Sequence, residues 1–485
     1  MKFALALLVA VPLLAQDTLS VADVRAVIEK AATAIDSRSL VIAVTDRQGN
    51  ILGVFRKPDA PAQSIGNFGA IVDTNELAVA TARTAAFFSH NEAPLSSRTV
   101  RYISGIHFPP GIRFTGNAAL YGIENTNRGC GFNVAFEPGK DVPMARSTDD
   151  SAPGLGVQTG KADLGDSDAA AVNPGGIPLY KNGQMVGGVG VAGDSAAVVE
   201  YPAFIGAVGA GFGPTPAAPG VVFVDGIALP FADQTTAPDG RSTGAFDGAF
   251  VLDPLDSPGP APDGDLVAPR DGARLLAAEI RSIIDRAIAA ANRTRAIIRL
   301  PLGTRAKMVF SVADLDGTVL ALHRMTDATF FSVDVAVAKA RNMVYFNSSS
   351  RQTGDLPGVP QGAAVTSRTI SFGSQPLFPP GIDGTDSGPF FELYRHDVEN
   401  PCSQGFETAN ANQNGIVFFA GALPLYRNGV LVGGLGVSGD GVEQDDYVTA
   451  LAAAGFEAPA EGRADRVFID HVRLPYLKFP RNPEK

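Results

Sequence analysis

The stretch GIPLYKNGQMVGGVGVAGD at 176–194 recurs with few changes as ALPLYRNGVLVGGLGVSGD at 422–440. A second pair of matching segments lies upstream, VTDRQGNILGVFRKPDA at 44–60 and VADLDGTVLALHRMTDA at 312–328. Three shorter blocks also match, and all five keep the same order at separations of 245 to 270 residues. Because chance does not preserve the order of five blocks, the sequence predicts a tandem duplication.

The matching blocks place two repeats at 18–232 and 273–480. Each repeat contains a long insertion before its last hairpin, at 113–177 in the first and 383–423 in the second. Between the repeats, residues 233–272 are rich in Pro, Gly and Asp. Since that composition offers little to bury, we expect a solvated linker or a strap along the surface.

Hydrophobic periodicity predicts a helix–hairpin–helix–hairpin–helix order in each repeat. The Asn-Gly pairs in the quoted stretches are typical of tight hairpin turns, because both central positions need positive φ. This order predicts an α/β/α fold with an antiparallel sheet and excludes a Rossmann fold, which needs a strand–glycine loop–helix unit. Gly433 and Gly434 in the last strand are expected to admit a closely packed helix, or to leave bare backbone for a ligand.

The N-terminus predicts export. Residues 1–15 begin with a lysine and continue as an apolar run of signal-peptide length, too short to span a bilayer. No later apolar run is long enough for a membrane helix, so we expect a soluble periplasmic or extracellular protein without membrane insertion. The formal net charge of −11 argues against a nucleic-acid partner, because phosphate repulsion would not be offset.

Three segments carry a family resemblance, VADLDGTVLALHRM at 312–325, AVAKARNMVYF at 336–346 and LPLYRNGVLVGGLGVSGD at 423–440. They resemble the GlcG/HbpS family, also called the haem-degrading family, and both repeats share the resemblance apart from their insertions. It implies a profilin-like fold, a five-stranded antiparallel sheet flanked by helices, and a tendency to form homo-oligomers. Some family members bind haem outside the cell, and a related domain ends corrinoid adenosyltransferases of the PduO type.

The resemblance makes haem the implied cofactor, which needs an apolar slot and usually one axial ligand. His323 is the first candidate ligand and His107 the second, and the alternative for each is an ordinary surface or hydrogen-bonded histidine. On the following helix, Lys339, Arg341 and its counterpart Arg83 are expected to pair with carboxylates such as propionates. The alternative is a solvated helix face.

The two cysteines, Cys130 and Cys402, both lie in the insertions and are 272 residues apart, close to the neighbouring repeat separation. If the repeats pack as a pseudo-twofold dimer, equivalent residues near the axis meet. We therefore predict a disulfide between the repeats, with two separate buried thiols as the alternative.

Three functions remain open at this point. The first is an exported protein that binds a small molecule, with haem or a related tetrapyrrole as the implied ligand. The second is a small-molecule enzyme with its site in a cleft between the repeats. The third is an extracytoplasmic protein-interaction module that uses the insertions. No spacing typical of a metal site or of a catalytic nucleophile occurs, so no catalytic residue is assigned and no metal is expected.

Overall fold

The structure, a computed structural model, describes most of the chain. The described residues are 17–104, 121–130, 132, 135–136, 140–141, 148, 155–158, 173–214, 222–224, 227–229, 231–232, 234–301, 303–380, 382 and 384–485. The predicted signal peptide at 1–15 and most of the insertion at 113–177 lie outside them. No helix within the described part combines the length and the apolar character needed to cross a bilayer.

Both repeats contain the predicted helices and hairpins. Repeat 1 comprises α1 (Val21–Thr33), β1 (Val41–Asp46), β2 (Ile51–Arg56), β3 (Gln63–Ile65), β4 (Ile71–Asp73), α2 (Thr74–Phe88), α3 (Ser97–Ser104), β5 (Ala135–Phe136), β6 (Lys140–Asp141), β7 (Gly176–Lys181), β8 (Gln184–Ala192), α4 (Ala196–Gly209), β9 (Val222–Val224) and β10 (Ile227–Leu229). The linker contains β11 (Ala249–Leu252) and β12 (Gly264–Val267). Repeat 2 comprises α5 (Ala277–Ala291), β13 (Val309–Ala313), β14 (Val319–Arg324), α6 (Phe331–Phe346), α7 (Ser367–Gly373), α8 (Phe391–Glu399), β15 (Ala422–Arg427), β16 (Val430–Ser438), α9 (Val442–Ala452), β17 (Phe468–Ile469) and β18 (Val472–Arg473).

Each repeat is built on a five-stranded antiparallel sheet. The strand order is β11-β2-β1-β8-β7 in the first sheet and β12-β14-β13-β16-β15 in the second. One face of the first sheet is covered by α2 and the other by α1 and α4, and α6 lies opposite α5 and α9 around the second. The predicted α/β/α fold class is confirmed.

The segment at 233–272 differs from the expected solvated linker, because it supplies the edge strand of both sheets. Strand β11 pairs with β2, so that Ala249 lies opposite Arg56, and β12 pairs with β14, so that Gly264 lies opposite Arg324. An uncovered sheet edge presents unpaired backbone groups that favour pairing with any available strand. The short apolar runs AFVL and LV lie in the strands that pair with these backbone groups, although the composition of the whole segment is polar.

The repeated Asn-Gly turns adopt the predicted left-handed geometry. Asn182 and Gly183 have φ values of 49° and 77°, and Asn428 and Gly429 have 50° and 76°. Beyond the turn, a Cβ at Gly434 would overlap the carbonyl oxygen of Ala340 in α6. Gly434 therefore admits a closely packed helix, which is the first of the two expected roles, whereas a Cβ at Gly433 would meet Leu275 and the Ala313 carbonyl oxygen.

The insertions bring equivalent residues of the two repeats together. The rings of Tyr121 and Tyr394 stack with centroids 4.9 Å apart, and the Asn125 amide donates to the Asp397 carbonyl oxygen at 2.6 Å. Close by, Cys130 and Cys402 form a disulfide with their Cα atoms 5.4 Å apart. Since each pair joins residues about one repeat apart, a pseudo-twofold axis passes through this region. The pseudo-dimer and the disulfide are both confirmed.

Candidate functional site

A cavity of about 330 Å³ lies in repeat 1, between α2, the end of β8 and the first turn of α4. We call it the repeat-1 cavity, and all of its described lining residues belong to repeat 1. Its walls combine apolar side chains with a few polar groups. Those used below are Ile65, Leu77, Thr81, Asn173, Asp194 and Val199.

The corresponding place in repeat 2 is filled by side chains of the repeat itself. Lys339 stands where repeat 1 has Thr81, and Asp445 where it has Val199. The Lys339 ammonium group donates to the Val437 carbonyl oxygen at 2.7 Å and to Asp445 Oδ2 at 3.0 Å. It also lies 4.8 Å from the centre of the Phe419 ring. Two larger, paired side chains thus occupy the volume that Thr81 and Val199 leave free.

Burial changes the acid–base properties of this pair. Burial lowers the pKa of Lys339, although Asp445 acts in the opposite direction. Burial also raises the pKa of Asp445 to about 7, although Lys339 lowers it. Since both side chains are almost fully buried, the pair is closed to ligands and to water.

Asp440, which follows the last strand of repeat 2, is also covered. Its Oδ1 lies 2.9 Å from His90 Nε2 and 3.2 Å from Arg299 Nη2, and its Oδ2 accepts the Lys307 amide at 2.8 Å. Burial by itself raises the pKa of Asp440, but His90, Arg299 and the Lys307 amide outweigh this and lower the pKa. Because His90 belongs to repeat 1, a side chain of repeat 1 covers Asp440 in repeat 2.

Asp194 is the counterpart of Asp440 and lines the repeat-1 cavity. Its Oδ2 accepts the hydroxyl groups of Ser37 at 2.6 Å and Ser39 at 3.1 Å, and its Oδ1 accepts the Ser195 amide at 2.7 Å. Burial acts to raise the pKa of Asp194, but these hydrogen bonds and Arg241 lower it below its usual value. The cavity therefore contains an ionised carboxylate at neutral pH.

The structure does not bring the predicted ligand-binding residues of repeat 2 to one site. Lys339 lies on α6, whereas His323 lies on the opposite side of the sheet, where its ring stacks on Phe310 at 6.2 Å. His323 Nδ1 lies 2.7 Å from Asp265 Oδ1, on the edge strand that the linker supplies. Burial raises the pKa of Asp265, but Arg281 and His323 outweigh it and lower the pKa.

Arg341 is buried, so the alternative of a solvated helix face is wrong for it, as it is for Lys339. Its guanidinium donates to the Gly317 carbonyl at 2.9 Å, to Asn414 Oδ1 at 3.0 Å and to the Phe132 carbonyl at 2.6 Å. Burial lowers the pKa of Arg341 to about 10. These bonds join both insertions to α6.

Two further candidates from the sequence stand apart from the cavity. Arg83, also buried, donates to the Gly156 carbonyl at 3.2 Å and so holds the first insertion against α2. His107 lies outside the described residues. His90, in contrast, had no distinguishing sequence signal, because its partners Asp327 and Asp440 are more than 230 residues away.

A small cleft of about 150 Å³ between the repeats is lined by Arg47 and Asp327, among other residues. Asp327 accepts from Arg47 Nη2 at 2.6 Å and from Lys307 Nζ at 2.7 Å. Burial raises the pKa of Asp327, but Arg47, His90 and Lys307 outweigh it and lower the pKa far below its usual value. A carboxylate that acts as a general base near pH 7 needs a raised pKa. Because the pKa of Asp327 is lowered instead, its carboxylate is suited to binding the cations that join the repeats.

Residues 277–455 match the sequence model of a family described as "Haem degrading protein HbpS-like". This part of the chain is HbpS-like. Corrinoid adenosyltransferase PduO of Salmonella typhimurium is 28% identical over 162 residues, which cover 33% of this chain and 36% of PduO. An uncharacterised 15.0 kDa protein of Citrobacter freundii is 27% identical over 164 residues, 34% of this chain and 86% of that protein. This chain thus spans about a third of the length of PduO.

Three solved structures are similar to part of this chain. A PduOC:heme complex is 23% identical and covers 38% of this chain and 95% of its own, with a TM-score of 0.25. ORFY of Klebsiella pneumoniae is also 23% identical, covers 39% and 93% of the two chains, and has a TM-score of 0.25. A double mutant of HbpS from Streptomyces reticuli is 19% identical, covers 41% and 97%, and has a TM-score of 0.24.

Proposed function

We propose that this chain is an exported small-molecule-binding protein of the HbpS type whose binding site is the repeat-1 cavity. One observation carries the proposal. At the same place in the fold, repeat 2 is filled by Lys339 and Asp445, whereas repeat 1 leaves about 330 Å³ beside an ionised carboxylate. That volume lies within the range typical of small-molecule pockets, about 300–1,000 Å³.

Export is supported by two features of different kinds. The first 15 residues have the charge and the apolar core typical of a signal peptide. The Cys130–Cys402 disulfide joins the two repeats, and such bonds persist mainly in oxidising compartments. Mass determination of the protein from its native host tests this proposal. A mature N-terminus at or near Gln16 supports export, and an intact Met1 or Lys2 contradicts it.

Haem or a related tetrapyrrole is the ligand that the family description suggests. The described residues of the repeat-1 cavity do not fit haem, because none of them is His, Tyr, Met or Cys and the one charged group is a carboxylate. Propionates would be repelled by Asp194. A haem site on this chain would use other residues, with His323 as the described candidate. Saturable binding of hemin with a Soret shift, lost in His323→Ala, would support it.

The cavity itself is tested by copying repeat 2 into repeat 1. The variant Thr81→Lys/Val199→Asp introduces the pair that fills the equivalent place in repeat 2. Saturation-transfer NMR with a library of small fragments should identify binders of the wild-type protein that this variant no longer binds. Lys478→Met, an exposed change in repeat 2, serves as the control and should bind the same fragments. Equal binding by the wild type and the double variant would exclude the cavity as the site.

A further inference from the structure

We propose that the repeat-1 cavity binds a small organic cation, an ammonium or guanidinium group on an apolar body, through the carboxylate of Asp194. This inference rests on the proposed function, since it names the ligand class of that same cavity. It is drawn from the different side chains and contacts that the two repeats have at equivalent positions of the fold.

The first observation concerns the partners of the two equivalent carboxylates. In repeat 2, Asp440 lies within hydrogen-bond distance of the His90 imidazole at 2.9 Å and the Arg299 guanidinium at 3.2 Å. The chain thus supplies nitrogen groups of its own as partners for the carboxylate that follows the last strand. In repeat 1, Asp194 follows the equivalent strand and faces a cavity instead.

The second observation concerns the ammonium group of Lys339. It occupies the repeat-2 counterpart of the cavity, where the Val437 carbonyl oxygen accepts its proton at 2.7 Å. Val191, the counterpart of Val437, lines the repeat-1 cavity, and Thr81 replaces the lysine. Repeat 1 therefore keeps the valine of the strand but has neither the lysine nor its partner carboxylate, since Val199 replaces Asp445, and Asp194 is the carboxylate that remains at the cavity.

The charges around the cavity agree with this assignment. None of the described lining residues is Lys or Arg, so Asp194 is the one charged side chain among them. Arg241 approaches Asp194 Oδ2 at 3.7 Å from outside the lining, and its side chain is 33% exposed, which weakens its effect. The N-terminal turn of α4 also borders the cavity, and the helix dipole there favours an anion. The Asp194 carboxylate is already such an anion, because its Oδ1 accepts the amide of Ser195, the residue before α4.

The remaining walls define the body of the ligand. Ile65, Leu77 and Val199 are apolar, whereas Asn173 and Thr81 are polar and uncharged. A carboxylate oxygen has two lone pairs, and Ser195 uses one on Oδ1. A ligand with one donor-rich cationic end and a compact apolar remainder satisfies both the carboxylate and the walls.

Three probes with the same phenylethyl skeleton test the inference, namely 2-phenylethylammonium, 2-phenylethanol and phenylacetate. Their dissociation constants are measured by ligand-observed NMR against the whole chain. We expect the ammonium to bind at least about tenfold more tightly than the alcohol, because only the ammonium adds the attraction of a full positive charge to its hydrogen bond with the carboxylate. Asp194→Asn should abolish that preference.

The control variant Asp59→Asn removes one exposed negative charge from the same repeat and should keep the tenfold preference. Equal binding of all three probes, tighter binding of phenylacetate, or no binding of any probe would each overturn the inference. The proposed function is judged separately, by whether Thr81→Lys/Val199→Asp abolishes fragment binding. If Asp194→Asn does not fold, the ranking of the probes on the wild-type protein decides the question.

Discussion

Lys339 is a buried cation whose removal should destabilise the protein by an amount that depends on pH. In Lys339→Met the side chain keeps an apolar stem of similar length, but Asp445 loses the ammonium group 3.0 Å away. The carboxyl group then loses its ion-pair partner, and only the smaller effect of Arg299 opposes burial. Breaking a buried pair in this way typically costs about 3–5 kcal/mol.

The pH dependence follows from proton counting. In the wild type, folded Asp445 has a pKa of about 7 against 3.8 when unfolded, so its contribution to stability falls as pH rises from about 4 to 7 and changes much less above pH 7. In Lys339→Met, folded Asp445 has a pKa above 7, since burial raises it to about 7 even beside Lys339, against 3.8 when unfolded. The folded variant therefore still binds the extra proton above pH 7, where its stability continues to fall by about 1.4 kcal/mol per pH unit while that of the wild type no longer does. Between pH 7 and 9 the extra loss is up to about 3 kcal/mol.

Urea unfolding followed by circular dichroism, with the disulfide intact, measures this effect at pH 6, 7, 8 and 9. Lys478→Met is the matched control, because the Lys478 side chain is 66% exposed and pairs with Glu443 at the surface. It should change the free energy of unfolding by less than about 1 kcal/mol at every pH. The double variant Lys339→Met/Asp445→Val should lose the pH dependence. A Lys339→Met profile parallel to that of the wild type would refute the reasoning.

Three further predictions concern the frame of the molecule. Cys402→Ser should lower the free energy of unfolding by about 2–5 kcal/mol, and the reduced wild type should melt like the variant; equal melting of the oxidised and reduced wild type would contradict this. Gly434→Ala should cost more than about 2 kcal/mol because its Cβ would overlap α6, whereas Gly462→Ala has open space and should be nearly neutral in the same thermal melts. Asp327→Asn should destabilise by about 3 kcal/mol at pH 7. Because the pKa of folded Asp327 lies below 3.8, that loss should shrink as pH falls below about 4, and a constant difference across pH would contradict the assignment.

Local patterns predicted most of the fold. The Asn182-Gly183 turn and its copy at Asn428-Gly429 specify hairpins through their positive φ, independently of the rest of the chain. The glycines after the turn mark the strand against which a helix packs. The linker strands were missed because AFVL is too short to stand out, and because pairing with a sheet edge is a tertiary event.

The candidate site was predicted less well, for a physical reason. Sequence reasoning singled out residues that look chemically active, such as His323 and Lys339 in repeat 2 and His107 in repeat 1. The structure shows that Lys339 satisfies a neighbouring carboxylate, while the cavity lies in repeat 1 at Thr81 and Val199. Small, inert residues reveal a cavity only when the surrounding atoms are in place.

The sequence by itself determined the duplication, the antiparallel α/β/α fold of each repeat and the pairing of Cys130 with Cys402. Those features depend on short-range patterns and on the equivalence of repeated segments. Only the tertiary structure decided which repeat is filled and which keeps a cavity. That outcome depends on His90 reaching across the pseudo-dimer to Asp440, 350 residues away, while Asp194 remains beside a cavity. Contacts at such distances follow from how the repeats pack, and no local pattern encodes them.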